Sequence, residues 1–235
     1  NNAQPFGAGT TEAGEFRVLD AILKVEFGDL VNIWMGRMIA PSDRNNLSGP
    51  YFQNSWAFPY SQFGYYNIFQ GRDDGVMVHG SMREGSIEYA LGVYDGEDGT
   101  PSDEMMVAGR FSVNLLDNEE GYYNASTYYG EKQILAIGLS YQDGPGSGGG
   151  GNEDAVAIDV LVEKTIEMGT VTLDAAWYDN SDSDDDPISV FVGLLMNGET
   201  TVGPLTGKLR PYIRVVSDGN RGDEWAVGVR HVIDG

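Results

Sequence analysis

The sequence predicts an all-β protein, an antiparallel transmembrane β-barrel in one domain over residues 1–235, and three observations carry that expectation. Apolar and polar residues alternate with period two along most of the chain, while helical periodicity is almost absent. The candidate strands follow one another through connections that alternate between short and long. Aromatic residues fall near strand ends, at Trp34, Tyr89, Tyr141, Trp177 and Trp225, on an apolar face that is nearly unbroken. A soluble sandwich also alternates, with its apolar side chains buried between two sheets, so alternation alone does not say which face meets lipid. The asymmetry of the connections favours a barrel, whose turns are short on one side of the membrane and long on the other. Closure also removes the edges that many consecutive hairpins expose.

Taken in order, Leu19 to Phe27 sets Leu19, Ala21, Leu23, Val25 and Phe27 against Asp20, Lys24 and Glu26. A GDL turn leads to Val31–Ile39. The stretch from Pro41 to Asp73 then interrupts the rhythm with three prolines, three glycines and a dense set of aromatics between Tyr51 and Phe69. It is too long for an ordinary connection and too aromatic for a disordered one, which predicts a folded loop. Gly75–Met82 places Val76, Val78 and Met82 opposite His79 and Ser81, and Ser86–Tyr94 follows across an REG turn. After the acidic DGEDGTPSDE, Met105–Leu116 sets Val107, Phe111, Val113 and Leu115 against Arg110, Ser112 and Asn114. Asp117–Lys132 is expected to be an elaborated turn, since a strand there would put the next long loop on the short-turn side. Ile134–Tyr141, Val156–Val162, Val171–Trp177, Ile188–Leu194, Leu209–Val215 and Trp225–Val232 complete about eleven strands. GPGSGGGG, NSDSDDDP, NGETTVGPLTG and SDGNRGD are expected as loops between them.

Composition narrows the function classes. The net charge is −22 with 14 Lys and Arg, so no basic stripe is available for a nucleic-acid partner. There is no cysteine, hence no disulfide, no thiol nucleophile and no thiolate metal ligand. The two histidines, His79 and His231, lie in separate strands, and no HExxH, CxxC or serine-centred elbow appears, so no enzyme and no cofactor is predicted. GPGSGGGG lacks the strand–turn–helix setting of a dinucleotide fingerprint. The acidic loops lack the spacing of a calcium-binding loop and are expected to be solvated, with divalent bridging to lipopolysaccharide as the alternative. No run of about eighteen apolar residues forms a transmembrane helix. Both ends read as cut from a longer protein.

Four pieces resemble a known family. FRVLDAILKVEFGDLVNIWMGRMIAPSDRNNLSGPYF from Phe16, FQGRDDGVMVHGSM from Phe69, YALGVYDG from Tyr89 and GYYNASTYYGEKQILAIGLSY from Gly121 are similar, in order and spacing, to the phosphate-selective porin O and P family. The resemblance implies a passive outer-membrane diffusion channel of a Gram-negative bacterium. It also implies a homotrimer, a barrel of about sixteen strands of which this chain is the central part, and a long loop (residues 41–73) folded inward to narrow the pore. Lipid and lipopolysaccharide are the implied surroundings, and small hydrophilic solutes or ions the implied cargo. Anion-selective members line the pore with basic side chains, whereas this chain is acidic overall.

Within that frame the polar strand faces supply candidate pore-lining residues: Lys24, Arg110, Arg210, Arg214 and Arg230, with Glu26, Glu88 and Asp159. They either set up a transverse field across a water-filled lumen or form cross-strand ion pairs in the wall. The loop contributes Arg44, Tyr51, Trp56, Tyr65, Arg72 and Asp73. Its arginines either project into the constriction or anchor the loop to carboxylates, anchoring being favoured for Arg72. Its aromatics are expected to pack and fix the loop, with a solute-stacking track as the alternative. Two other functions compete: a structural or partner-binding barrel that sleeves another protein, and a soluble acidic β-sandwich that binds a ligand.

Overall fold

A computed structural model describes residues 18–61, 71–96, 105–145, 152–180, 186–217 and 222–233. The alternating runs become strands because side chains that alternate along an extended backbone sort to two faces. In chain order the strands are β1 (Ala21–Glu26), β2 (Asn32–Ile39), β3 (Arg72–Met82), β4 (Ile87–Tyr94), β5 (Met106–Asn114) and β6 (Ile134–Pro145). They continue with β7 (Asn152–Ile166), β8 (Gly169–Asn180), β9 (Ile188–Met196), β10 (Glu199–Val202), β11 (Leu205–Ser217) and β12 (Glu224–Ile233). Two short helices, α1 (Arg44–Leu47) and α2 (Gly49–Phe52), lie between β2 and β3.

All the strands belong to one antiparallel sheet, a meander in which neighbours in sequence pair from β1 to β9. β11 pairs with β9, β10 and β12. Among the described residues no ladder joins β1 to β12, so the sheet is open rather than closed into a barrel.

There is one strand more than the sequence predicts. Within NGETTVGPLTG, expected as a loop, β10 and the start of β11 form a ribbon turning at Gly203, whose φ of +61° suits glycine. The Thr201 and Thr206 hydroxyls meet across it at 3.1 Å. Threonine favours paired strands, and a short polar ribbon carries no apolar alternation to reveal it. β3 also begins earlier than expected, so Arg72 and Asp73 lie in a strand. Residues 115–133 contain no strand. The centres of the two acidic loops and of the glycine tract fall outside the described residues.

The sheet has two unlike faces. On the outer face, the register row Tyr89–Phe111–Leu139–Ile158–Trp177–Ile188 runs straight across six strands, and the row Val162–Leu173–Val192–Ile213–Val227 runs across five. Leu91, Phe111, Leu139, Ile158, Val192, Ile213, Val227 and Val229 on this face are exposed. The inner face is covered by residues 40–61 and 115–133. One of its rows reads Glu26–Asn32–His79–Ala90–Arg110–Ser140–Ala157–Tyr178, and the next Ser81–Glu88–Ser112–Gly138–Asp159–Ala176–Ser189. The buried side of this protein is therefore its polar side.

Trp34 departs from the sequence expectation. It stands between Lys24 and Met77 on the inner face, 4% exposed, rather than on the outer one. β2 is apolar on both sides, with Ile33 and Met35 alternating with Trp34 and Met38, so its pattern does not distinguish the faces.

Candidate functional site

The loop after β2 enters the inner face through a helix start. Asp43 caps α1 by accepting from the Asn45 backbone N–H at 3.1 Å and also accepts from the Tyr178 hydroxyl at 2.9 Å. That places Arg44, fully buried, over the middle of the sheet. Its Nη1 and Nη2 each donate to Glu119 at 2.6 Å, and Nη1 also donates to the Ala125 carbonyl at 2.8 Å. Its Nε lies 3.5 Å from Asp159, whose Oδ2 accepts from the Arg44 backbone N–H at 3.2 Å. Asp159 in turn takes Arg110 through Nη1 at 2.5 Å and Nη2 at 2.9 Å. Two arginines and two carboxylates thus join the loop, the 115–133 segment, β5 and β7 in one buried cluster.

A glycine makes room for this cluster. A Cβ at Gly138 would stand 2.3 Å from Arg110 Nη2 and 2.7 Å from Asp159 Oδ1. On the straight inner-face row, Gly138 is the position over which the Arg110–Asp159 pair crosses from β5 to β7.

The 115–133 segment is held independently. Glu163, fully buried in β7, accepts from Thr127 Oγ1 at 2.7 Å, Thr172 Oγ1 at 2.8 Å, and the backbone N–H groups of Tyr128 and Gly130 at 3.0 and 2.9 Å. Tyr128 donates its hydroxyl to Glu119 at 2.6 Å, and Tyr122 donates to the Ile39 carbonyl at 2.8 Å. The connections after β1, β3, β5 and β7 share one end of the sheet, and that after β2 leaves the other. The two inward segments therefore arrive from opposite ends and touch, with the Ser126 backbone N–H donating to the Phe52 carbonyl at 3.2 Å.

Burial pushes the Glu119 carboxyl up, but the charge of Arg44 and the hydrogen bonds from Arg44 and Tyr128 prevail and hold it below its ordinary value. Burial pulls Arg44 down, and Glu119 and Asp159 outweigh it, so the guanidinium stays charged at all accessible pH. Tyr128 is pushed up, first by burial and then by the adjacent Glu119 charge.

Farther along, the loop meets a row of arginines on β11 and β12. Asn54 donates to Asp174 at 3.0 Å and to the Ser126 carbonyl at 2.5 Å, and accepts from Arg210 Nη2 at 2.8 Å. Arg214 donates to Ser55 Oγ at 2.5 Å and pairs with Glu224, and Arg230 donates to the Gln53 carbonyl at 2.6 Å. Arg210, cross-strand partner of Arg230, is fully buried with Phe191 and Tyr129 rings beside it. Its Nε and Nη1 have no hydrogen-bond partner, and among the described residues it has no carboxylate partner.

The structure thus brings together Arg44, Arg110 and Asp159 in the central cluster, and Arg210, Arg214 and Arg230 beside the loop. Glu26 lies apart from both at the short-turn end of β1, Glu88 borders the central cluster from the same cavity as Arg110, and Lys24 sits over the Trp34 ring with Nζ 3.8 Å from its centroid. Arg72 pairs with Asp20 at 3.0 Å, and Asp73 accepts from the Gly96 N–H at 2.8 Å, so both belong to the wall. Tyr51 falls in α2, and Tyr65 lies outside the described residues.

Among the described residues the loop is held mainly by polar side chains, and the aromatics Phe63, Tyr65, Tyr66 and Phe69, expected to pack, lie outside the described residues. Trp56 is 81% exposed and Phe52 is also exposed, while Arg44, Asn45, Asn46, Gln53, Asn54 and Ser55 are buried. The surface beneath the loop is polar, so the side chains facing it must match donors to acceptors rather than exclude water. Glu119, Asn54 and Tyr178 were not expected at the site. Asp43 before Arg-Asn-Asn carries a helix-cap signal, whereas nothing in the sequence marks Glu119 as different from the neighbouring acids.

No family model, no curated protein and no solved structure matches the chain.

Proposed function

We propose that the chain forms wall and constriction of an outer-membrane porin, with its outer face against lipid and its inner face around a polar passage for small hydrophilic solutes or ions. The observation that carries this reading is the reversed polarity of the sheet: exposed apolar rows outside, buried Arg, Asp, Glu, Ser and Thr inside. Apolar surface left in water costs about 25 cal/mol per Å², and monomeric soluble proteins rarely expose contiguous apolar patches beyond a few hundred Å². A face of this extent needs apolar surroundings. A soluble sandwich would bury it against a second sheet, and among the described residues there is one sheet only.

The connections give further support. Those at 40–71, 95–105, 146–151, 181–187 and 218–223 leave one end, and 27–31, 83–86 and 167–168 are short turns at the other, where the inward 115–133 segment is the exception. Closure of the gap between β1 and β12 by further strands belongs to this reading, because lipid does not tolerate unpaired backbone groups. The resemblance to the phosphate-selective porin O and P family supports a homotrimer in the outer membrane of a Gram-negative bacterium, in contact with lipopolysaccharide. The reading as a sleeve for another protein needs an inner face left free, and here the chain's own segments cover it. Transport is passive, and no catalytic step is proposed.

The test is reconstitution. The purified full-length protein partitions with detergent and gives stepwise conductance in planar bilayers. Partition to the aqueous phase together with silent bilayers would sink the proposal.

A further inference from the structure

The inner face holds a cavity of about 300 Å³ at the short-turn end of β1–β5, closed on one side by the 115–133 segment through Tyr122 and Asn124. It borders the central cluster at Arg110 and lies away from the arginine row of β11 and β12. The size is at the lower end of small-molecule pockets.

Its charged groups are mostly carboxylates without a cation of their own. Glu26, Asp29 and Glu88 line it, and none has an ion-pair partner among the described residues. Glu88 receives one long hydrogen bond, from Ser112 Oγ at 3.3 Å. Arg110, the cation in the lining, is held by Asp159, and nearby Lys24 is held over the Trp34 ring. His79 also lines the cavity. It is only 9% exposed, its ring is 5.6 Å from that of Tyr122, and its Nε2 has no hydrogen-bond partner. With the proton on Nδ1, that Nε2 is one more acceptor.

A metal ion does not suit this arrangement. Among the described residues no three His, Asp or Glu side chains converge closely enough to hold one. The carboxylates are spread around the cavity, which calls for a ligand that carries separated donors.

We infer that this cavity binds a small organic diammonium ion, one end at Glu88 and His79 beside the Tyr122 ring, the other toward Glu26 and Asp29 at the exposed rim. Ammonium groups supply charge-assisted hydrogen bonds to the carboxylates and face an aromatic ring favourably. The inference rests on the cavity and holds independently of whether the sheet lines a conducting channel.

Isothermal titration calorimetry of the purified full chain in detergent with 1,4-diaminobutane tests it. One saturable site per chain is expected. Glu88→Gln and Asp29→Asn each weaken it by about tenfold, while Asp186→Asn, in the exposed connection before β9, leaves it unchanged. Asp29 is in an exposed turn, so its variant reports on binding even if Glu88→Gln does not fold. Four results would overturn the inference. They are no saturable heat with the unaltered chain, equal binding of 1,4-butanediol, competition by magnesium at one ion per chain, or the same weakening in Asp186→Asn as in Asp29→Asn.

Discussion

Arg44 meets Glu119 with two parallel hydrogen bonds of 2.6 Å, and the pair ties a loop from one end of the sheet to a segment from the other. Both side chains are buried, so the pair contributes geometry more than net stability, but breaking it leaves a charge without its partner. Glu119→Gln is expected to lower stability by roughly 3–5 kcal/mol, read as a fall in the temperature at which heat-modifiable migration changes. A midpoint equal to that of the unaltered chain would mean the pair does not form.

The same contact sets an acid limit. Because the Glu119 carboxyl is held below its ordinary value, its contribution is complete above the unfolded carboxylate value, about pH 4.3, and is lost as pH falls through the folded value. Arg44 does not titrate in that window. Protease cleavage within residues 115–133 is therefore expected to stay slow at neutral pH and to accelerate below about pH 4, and the acceleration should disappear in Glu119→Gln.

Gly138 offers a test of the crossing between Arg110 and Asp159. Gly138→Ala puts a methyl group against both partners and is expected to cost about 1–3 kcal/mol. Gly109→Ala is the control: its nearest neighbour would be Leu91 Cδ1 at 3.6 Å, and the change should stay within about 0.5 kcal/mol. Equal unfolding midpoints for the two variants would rule out the steric account.

Arg210 and Arg110 are buried arginines in opposite circumstances. Arg210→Met removes a cation with two unmatched nitrogens and is expected to leave stability unchanged or raise it by about 1–2 kcal/mol, whereas Arg110→Met strips Asp159 of its closest partner and costs about 3 kcal/mol. In planar bilayers under a KCl gradient, Arg210→Met is expected to move the reversal potential toward cations. An unmoved potential would remove Arg210 from the permeation path.

The alternation that forecast the strands is the same physics that built them, which is why the meander and its order were legible. Alternation fails where both faces are apolar, as at Trp34, and where a ribbon is too short and too polar to alternate, as at Thr200 and Thr201. The site was legible as a set of polar-face residues but not as a network. Arg110 and Asp159 lie on non-adjacent strands, and only the register places them on neighbouring rows with a glycine between. Glu119 was hidden because an irregular segment has no period from which to infer a direction.

The loop also imposes a timetable. Arg44 waits for Asp159, 115 residues later in the chain, and the Gln53 carbonyl waits for Arg230, 177 residues later. Such distant partners make assembly slow, since the cost of closing the chain falls due before the contact forms. The loop leaves the sheet after β2, yet it is fully seated only when β12 has been added, so this part of the chain is finished long after it is made.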